Sequence, residues 1–382
     1  MNNNIYKESL ELHKRYHGKL ETISKVKLDS KEALSLAYSP GVAEVSREIA
    51  RDPNLAREYT LKRNTVAIVS DGSAILGLGN LGPLAAIPVM EGKAAIFKEF
   101  GGVDAFPICL DTQDTEEIIK AVKQIAPVFG GINLEDISAP RCFEIEERLR
   151  KELSIPVMHD DQWGAATATL AALINSLKLT NRNKEDVKVV ISGIGAAGVA
   201  TSRLLLIYGI KNIVYCDSKG IIHNDRADLT KEKRELLNGS VAKDQEGDLS
   251  DAIKNADVFI GLSKPGLLTK EMVKSMSLKP IIFGLANPTP EIMPEDAYDA
   301  GAFIVATGRS DYPNQINNSL VFPGAFKGML ELNIPQFKIE MFSKIAQALA
   351  DSVTDLSIQK IIPTMWDDGI VDLVSETIKK FK

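Results

Sequence analysis

One stretch of this 382-residue chain limits its fold more than any other. Val187-Lys188-Val189-Val190-Ile191-Ser192 reads as a short buried strand. Gly193-Ile194-Gly195-Ala196-Ala197-Gly198 follows, and a helical run continues to Tyr208. In a Gly-x-Gly-x-x-Gly turn between strand and helix, the first glycine allows the tight turn. The second lets the backbone approach a pyrophosphate, and the third lets the helix pack on the strand. The helix N-terminus adds unpaired N–H donors for phosphate oxygens. The next apolar run, Asn212–Cys216, ends at Asp217, 19 residues past Gly198, where an acid meets the adenosine ribose hydroxyls. Gly193, Gly195, Ala196, Ala197, Gly198 and Asp217 are therefore expected to hold a dinucleotide. The charge of Asp217 would repel a 2′-phosphate, which favours NAD. Lys219, two residues on, softens that repulsion and keeps NADP as the alternative.

The rest of the chain alternates short apolar strands with helical stretches, an α/β arrangement. Strands are expected at Thr65–Val69, Ala94–Phe97, Ala105–Cys109, Pro127–Phe129 and Pro156–Met158, then at Asp257–Gly261, Pro280–Leu285 and Phe303–Ala306. Helices are expected at Asp114–Gln124, Cys142–Leu153 and Ala165–Leu177, an exposed helical insert at Asp225–Asp248, and further helices from Ala325 onward with Trp366 as packing aromatic. The expected architecture is an N-terminal α/β catalytic domain, 1–158, and a Rossmann-type doubly wound parallel-sheet domain with C-terminal helices, 159–382. Two acid pairs, Glu135-Asp136 and Asp160-Asp161, each follow an apolar strand-like run. Acids at the carboxyl ends of neighbouring parallel strands share one crevice. Several carboxylates there repel one another unless a cation sits among them, and all-oxygen ligands suit Mg²⁺ or Mn²⁺. Lys93 stands just before a run read as a strand. Drawn in beside carboxylates, it is a candidate general base if burial lowers its pKa.

Composition sets the outer limits. A formal net charge of −6 and the lack of a dense Lys/Arg run argue against a nucleic-acid binder. No apolar run is long enough to cross a bilayer, and no apolar signal core opens the chain, so cytoplasm is the expected location. Cys109, Cys142 and Cys216 are too few and scattered for a disulfide framework. Four glycines between Gly72 and Gly82 imply tight turns or close backbone approach.

These motifs, in this order, resemble the malic enzymes, in particular the short bacterial type. The match runs from about Tyr38 to Leu330. It rests on Tyr38-Ser39-Pro40-Gly41-Val42-Ala43, Asp71-Gly72 with Leu76-Gly77-Leu78-Gly79, Glu91-Gly92-Lys93, Gly131-Ile132-Asn133-Leu134-Glu135-Asp136 and His159-Asp160-Asp161-Gln162. The glycine loop, Ala286-Asn287-Pro288-Thr289 and Asn317 to Gly324 complete it. The resemblance implies oxidative decarboxylation of (S)-malate to pyruvate and CO₂ with NAD(P)⁺ reduced. It implies Glu135, Asp136 and Asp161 as Mg²⁺ or Mn²⁺ ligands, Lys93 as base, Asp160 as its partner, and Tyr38 as proton donor to C3. Asn287 would bind on the substrate and nicotinamide side, and Asn318 the substrate. It also implies a homodimer or higher homo-oligomer, in which Tyr38 could complete a neighbour's site. Two departures from the family pattern stand out. Ala74 stands where larger members carry a carboxylate-binding arginine, and Trp163-Gly164-Ala165 replaces a polar residue followed by Gly-Thr. Two alternatives stand beside this reading: a malolactic-type decarboxylase that shares cofactor and metal but releases lactate without net redox, and, motivated by Trp163 and Ala165, an NAD-binding regulatory protein without turnover.

Overall fold

The computed structural model describes residues 3–382. Ten strands form two sheets. β1 (Thr65–Ser70), β2 (Asp104–Cys109), β3 (Gly131–Leu134) and β4 (Val157–His159) make a parallel four-stranded sheet in the order β2-β1-β3-β4. β5 (Val189–Ser192), β6 (Ile213–Asp217), β7 (Gly220–Ile221), β8 (Val258–Gly261), β9 (Ile281–Gly284) and β10 (Ile304–Thr307) make a second sheet. Its order is β10-β9-β8-β5-β6-β7, parallel except for β7. The chain leaves β5 for β6 on one side and later returns to β8 on the other. That reversal opens a crevice at the carboxyl end of β5, where doubly wound sheets take their ligands.

The helix Asp160–Thr180 lies between the two sheets in sequence and is buried at 17 of its 21 residues. A helix apolar on every side belongs in a core rather than on a surface. Its Ala- and Leu-rich middle joins one continuous core that reaches Val66, Ile68 and Phe97 of the first half. The same core takes in Val189, Ile191 and Phe283 of the second sheet and Phe322, Phe326 and Phe342 of the C-terminal helices. Asn175, buried within it, donates to the carbonyls of Ala350 at 2.8 Å and Ile361 at 2.9 Å, so its amide is not stranded.

Several sequence expectations need correction. Ala94–Phe97 is not a strand but part of the helix Pro83–Gly101, which buries Ala86, Met90, Ala94 and Phe97 along one face. Four apolar residues in a row do not distinguish a strand from a buried helix turn. Pro127–Phe129 is a short 3₁₀ turn, Ala126–Val128, and the strand begins only at Gly131. The long central helix starts at Asp160, five residues earlier than expected, so the second acid pair forms its first turn. Trp366 is not a packing residue; it is 75% exposed. Cys109 is half-buried, whereas Cys142 and Cys216 are fully buried, and all three are free thiols. Within Asp225–Asp248, the helical part is Lys231–Gly239.

The N-terminal helices stand apart. Lys31–Ala37, Val42–Arg51 and Leu55–Tyr59 bury none of their residues. Ile23, Val26, Leu28, Leu34, Leu36 and Tyr38 all face solvent in the single chain. Among the described residues, no helix is long and apolar enough to cross a membrane.

Candidate active site

β3 and β4 are neighbours, with Leu134 opposite His159, so the residues that follow each strand emerge side by side. Those residues are Glu135-Asp136 and Asp160-Asp161. One ligand oxygen from each of Glu135, Asp136 and Asp161 lies within 4.8 Å of the other two. The backbone N–H of Asp136 donates to Asp161 Oδ2 at 2.8 Å, and Asn133 Nδ2 donates to Glu135 Oε2 at 3.0 Å. Asp136 Oδ2 and Asp160 Oδ1 are buried without a hydrogen-bond partner among the described residues. Burial, and then Asp161, push the Asp136 carboxyl up to about 7. Burial also raises Glu135 well above the carboxylate range, against the pull of Lys93. A converging set of carboxylates with orphaned oxygens and raised proton affinity fits a hard divalent cation such as Mg²⁺ or Mn²⁺.

Lys93 comes from the third side. The middle of the helix Pro83–Gly101 aims it at the same cluster, its Nζ 2.6 Å from Glu135 Oε1 and hydrogen-bonded to Asp160 Oδ2. The Phe322 ring closes over it at 4.6 Å. Burial alone would depress this amine, but Asp160, Glu135 and Asp161 outweigh it and hold the pKa above the usual lysine value. The lowered pKa expected from burial is therefore wrong for the metal-free site. Asp160 is fully buried behind Lys93 and does not line the crevice.

The crevice has a volume of ≈ 480 Å³, within the range of small-molecule sites. Lys93, Glu135, Asp136 and Asp161 line it together with Gly195, Ala196 and Ala197 of the glycine loop and with Asn287 and Asn318. At Gly193, φ is +102° and a Cβ would run into the Leu262 carbonyl; at Gly198 a Cβ would meet the Gly193 carbonyl. Gly195 faces open space, which leaves its backbone free to approach a pyrophosphate. The loop therefore fits a dinucleotide. Gly77, at φ +72°, brings its backbone against the carbonyl of Asn287 and so joins the glycine-rich 72–82 turn to the site.

Residues 17–150 match the family described as malic enzyme, N-terminal domain, and residues 163–372 match malic enzyme, NAD binding domain. The chain belongs to the malic enzyme family. It is 52% identical over 379 residues to a bifunctional malic/malolactic enzyme of Bacillus subtilis, spanning 98% of this chain and 92% of that protein. It is 54% identical over 363 residues to an NAD-dependent malic enzyme of Geobacillus stearothermophilus, spanning 94% of this chain and 76% of that one. The crystal structure of an NAD-dependent malic enzyme from Thermotoga maritima superposes with a TM-score of 0.94 at 49% identity, over 97% of this chain and 98% of that chain.

Two of the residues singled out in this malic enzyme do not line the crevice. Tyr38 caps the helix Lys31–Ala37 and is 68% exposed, away from the crevice of its own chain. Asp217 ends β6, and its carboxylate is fully engaged. Oδ1 accepts from Arg226 Nη1 and the Lys219 N–H, both at 2.9 Å. Oδ2 accepts from Arg226 Nη2 at 2.9 Å and Lys233 Nζ at 2.6 Å. A carboxylate offers about four acceptor positions, so none is left over for ribose hydroxyls. Arg226 and Lys233 sit inside the charged insert, outside the span that the glycine fingerprint covers.

The two departures separate as well. Ala74 and Ala165 line the crevice, but Trp163 does not. Its ring is buried and stacks on Phe342 at 5.1 Å, and its Nε1 donates to Glu146. The doubt that Trp163 cast on turnover therefore loses its structural basis. Arg141, which reaches the Ala74 turn at Ser73, is committed to Asp71 at 2.9 Å and to the hydroxyls of Ser73 and Ser138 at 3.0 Å. Glu146 is the residue that sequence reasoning missed.

Proposed function

We propose that this chain oxidises and decarboxylates (S)-malate to pyruvate and CO₂ while reducing NAD⁺ to NADH, with Mg²⁺ or Mn²⁺ required. One observation carries the reading, namely Lys93 embedded among Glu135, Asp160 and Asp161 in a crevice that the glycine loop also lines. Glu135, Asp136 and Asp161 hold the cation. When bound, the cation supplies Lewis acidity at the substrate oxygen on C2, and NAD⁺ supplies the hydride acceptor. Lys93 Nζ, having lost its own proton to solvent once a cation bound by Glu135, Asp136 and Asp161 offsets the charge that holds it, would take the hydroxyl proton, while Asp160 keeps the amine aimed into the crevice. Asn318 orients the substrate carboxylate, and Asn287 orients substrate and nicotinamide against each other. The Phe322 ring keeps water from the inner side of Lys93.

Tyr38 is assigned to protonation at C3 in the site of a partner subunit within a homodimer. The unburied helices around it and the exposed apolar residues from Ile23 to Leu36 support this, since such a face calls for a partner surface. Mixing Tyr38→Phe and Lys93→Ala subunits restores activity if sites are shared; mixed dimers that stay inactive would rule out sharing.

Malate-dependent NADH formation that needs Mn²⁺ or Mg²⁺ tests the main reading, and its absence with every divalent metal would refute it. The name of the Bacillus subtilis relative supports a second reading, in which part of the malate leaves as lactate without net redox. Assay of pyruvate against lactate decides between them.

A further inference from the structure

Glu146 projects from the helix Arg141–Glu152 and is 5% exposed, with no lysine or arginine in ion-pair contact among the described residues. Its carboxylate instead accepts from three donors. The His159 backbone N–H is at 3.1 Å from Oε1, Gln162 Nε2 is at 3.0 Å from Oε2, and Trp163 Nε1 is at 2.9 and 3.1 Å from the two oxygens. These donors stand immediately before and after Asp160-Asp161. One carboxylate thus staples both flanks of the turn that carries the second acid pair. The staple lies on the far side of that turn from the crevice, facing a separate polar cleft of ≈ 400 Å³. Trp163 anchors it further, its indole stacked on Phe342 with the rings 9° from parallel. His159 sits fully buried between staple and site, its Nε2 3.7 Å from Asp161 Oδ2.

We propose that Glu146 is a positioning residue for the metal site, holding Asp160 and Asp161 in register with Glu135, Asp136 and Lys93, and that Trp163 ties this clamp to the core. The proposal rests on the ligand assignment above. A buried carboxylate bonded only to donors has a specific requirement. Glutamine in its place turns an NH₂ group toward N–H donors, breaking the staple at nearly constant volume. A tilt of the first helical turn then moves Asp161 relative to Glu135 and Asp136, which lie on a different element. Groups that orient metal ligands from behind commonly change metal affinity by about ten- to a hundredfold.

The test is Mn²⁺ binding to the full-length protein, read from the electron-spin-resonance signal of free Mn²⁺, for wild type, Glu146→Gln and Trp163→Phe. Circular dichroism and thermal melting establish that each variant is folded. A tenfold or greater rise in the Mn²⁺ dissociation constant is expected for folded Glu146→Gln, and at least a threefold rise for Trp163→Phe. NADH binding, followed by its fluorescence, should stay within twofold. A carboxylate serving only the fold would lower the melting temperature and leave the Mn²⁺ constant of the folded protein unchanged, which would overturn the proposal. If Glu146→Gln does not fold, Trp163→Phe decides alone, and an unchanged Mn²⁺ constant there overturns the proposal equally. Wild-type protein that binds Mn²⁺ without oxidising malate would refute the proposed reaction and leave this inference standing.

Discussion

Gly164 lies one helical turn beyond Asp160, and a Cβ built on it would overlap Asp160 Oδ1 and stand 2.8 Å from the Asn318 Cβ. Glycine is required there because two site residues occupy the space of a side chain. In Gly164→Ala, Asp160 must swing away and release Lys93. A displacement of about 1 Å at a reacting group costs roughly a hundredfold in rate. We expect that loss in kcat with NADH affinity unchanged, measured by steady-state kinetics and fluorescence titration.

Removal of the Lys93 amine should be more severe. Lys93→Ala is expected to reduce malate oxidation by roughly a hundred- to ten-thousandfold, the range for a lost general base. Full activity in that variant would take Lys93 out of the mechanism.

The acids also predict a pH dependence. Asp136 is raised to about 7 and Asp160 to about 6, each by burial first. Both are carboxyls raised above their unfolded values. Between about pH 4 and 7 the metal-free folded state therefore binds more protons than the unfolded state, and stability falls as pH rises through that window. A cation must displace those protons, so Mn²⁺ affinity should climb from pH 6 to 8 with proton release. Calorimetry in buffers of different ionisation enthalpy measures both. A pH-independent affinity with no proton release would contradict the site electrostatics.

At the end of β6, Asp217 is partly buried, yet Arg226 and Lys233 outweigh that burial and hold it well below the usual carboxylate range. Its charge is balanced and its acceptor positions are filled. Arg226→Ala should free Asp217 to meet ribose hydroxyls and repel a 2′-phosphate. The ratio of kcat/KM for NAD⁺ over NADP⁺ should then rise at least severalfold above wild type. A ratio that falls or holds constant would show that Asp217 does not face the ribose.

Much of this site is written locally. The glycine loop needs only a strand before it and a helix after it, and Glu135, Asp136 and Asp161 need only that β3 and β4 be neighbours. Lys93 was legible as a candidate base, yet its helix was misread because Ala94–Phe97 shows too few residues to reveal a period. The face that Trp163 takes depends on the helix starting at Asp160, which no local residue announces. Glu146 carried no signal at all. Its three donors lie 13 to 17 residues away in sequence and meet it only once the helix Arg141–Glu152 packs beside β4. Tyr38 poses a different difficulty, since the surface that would give it a place is not in its own chain.

The helix Asp160–Thr180 begins at the acids and ends deep in the core that both sheets share. Its residues therefore belong to neither half alone. Hybrid proteins that exchange the nicotinamide-binding half with that of a relative would inherit mismatched packing if spliced at the sheet boundary near residue 160. A splice within 181–186, past the left-handed Asn181 that ends the helix, keeps this helix with the acids it carries.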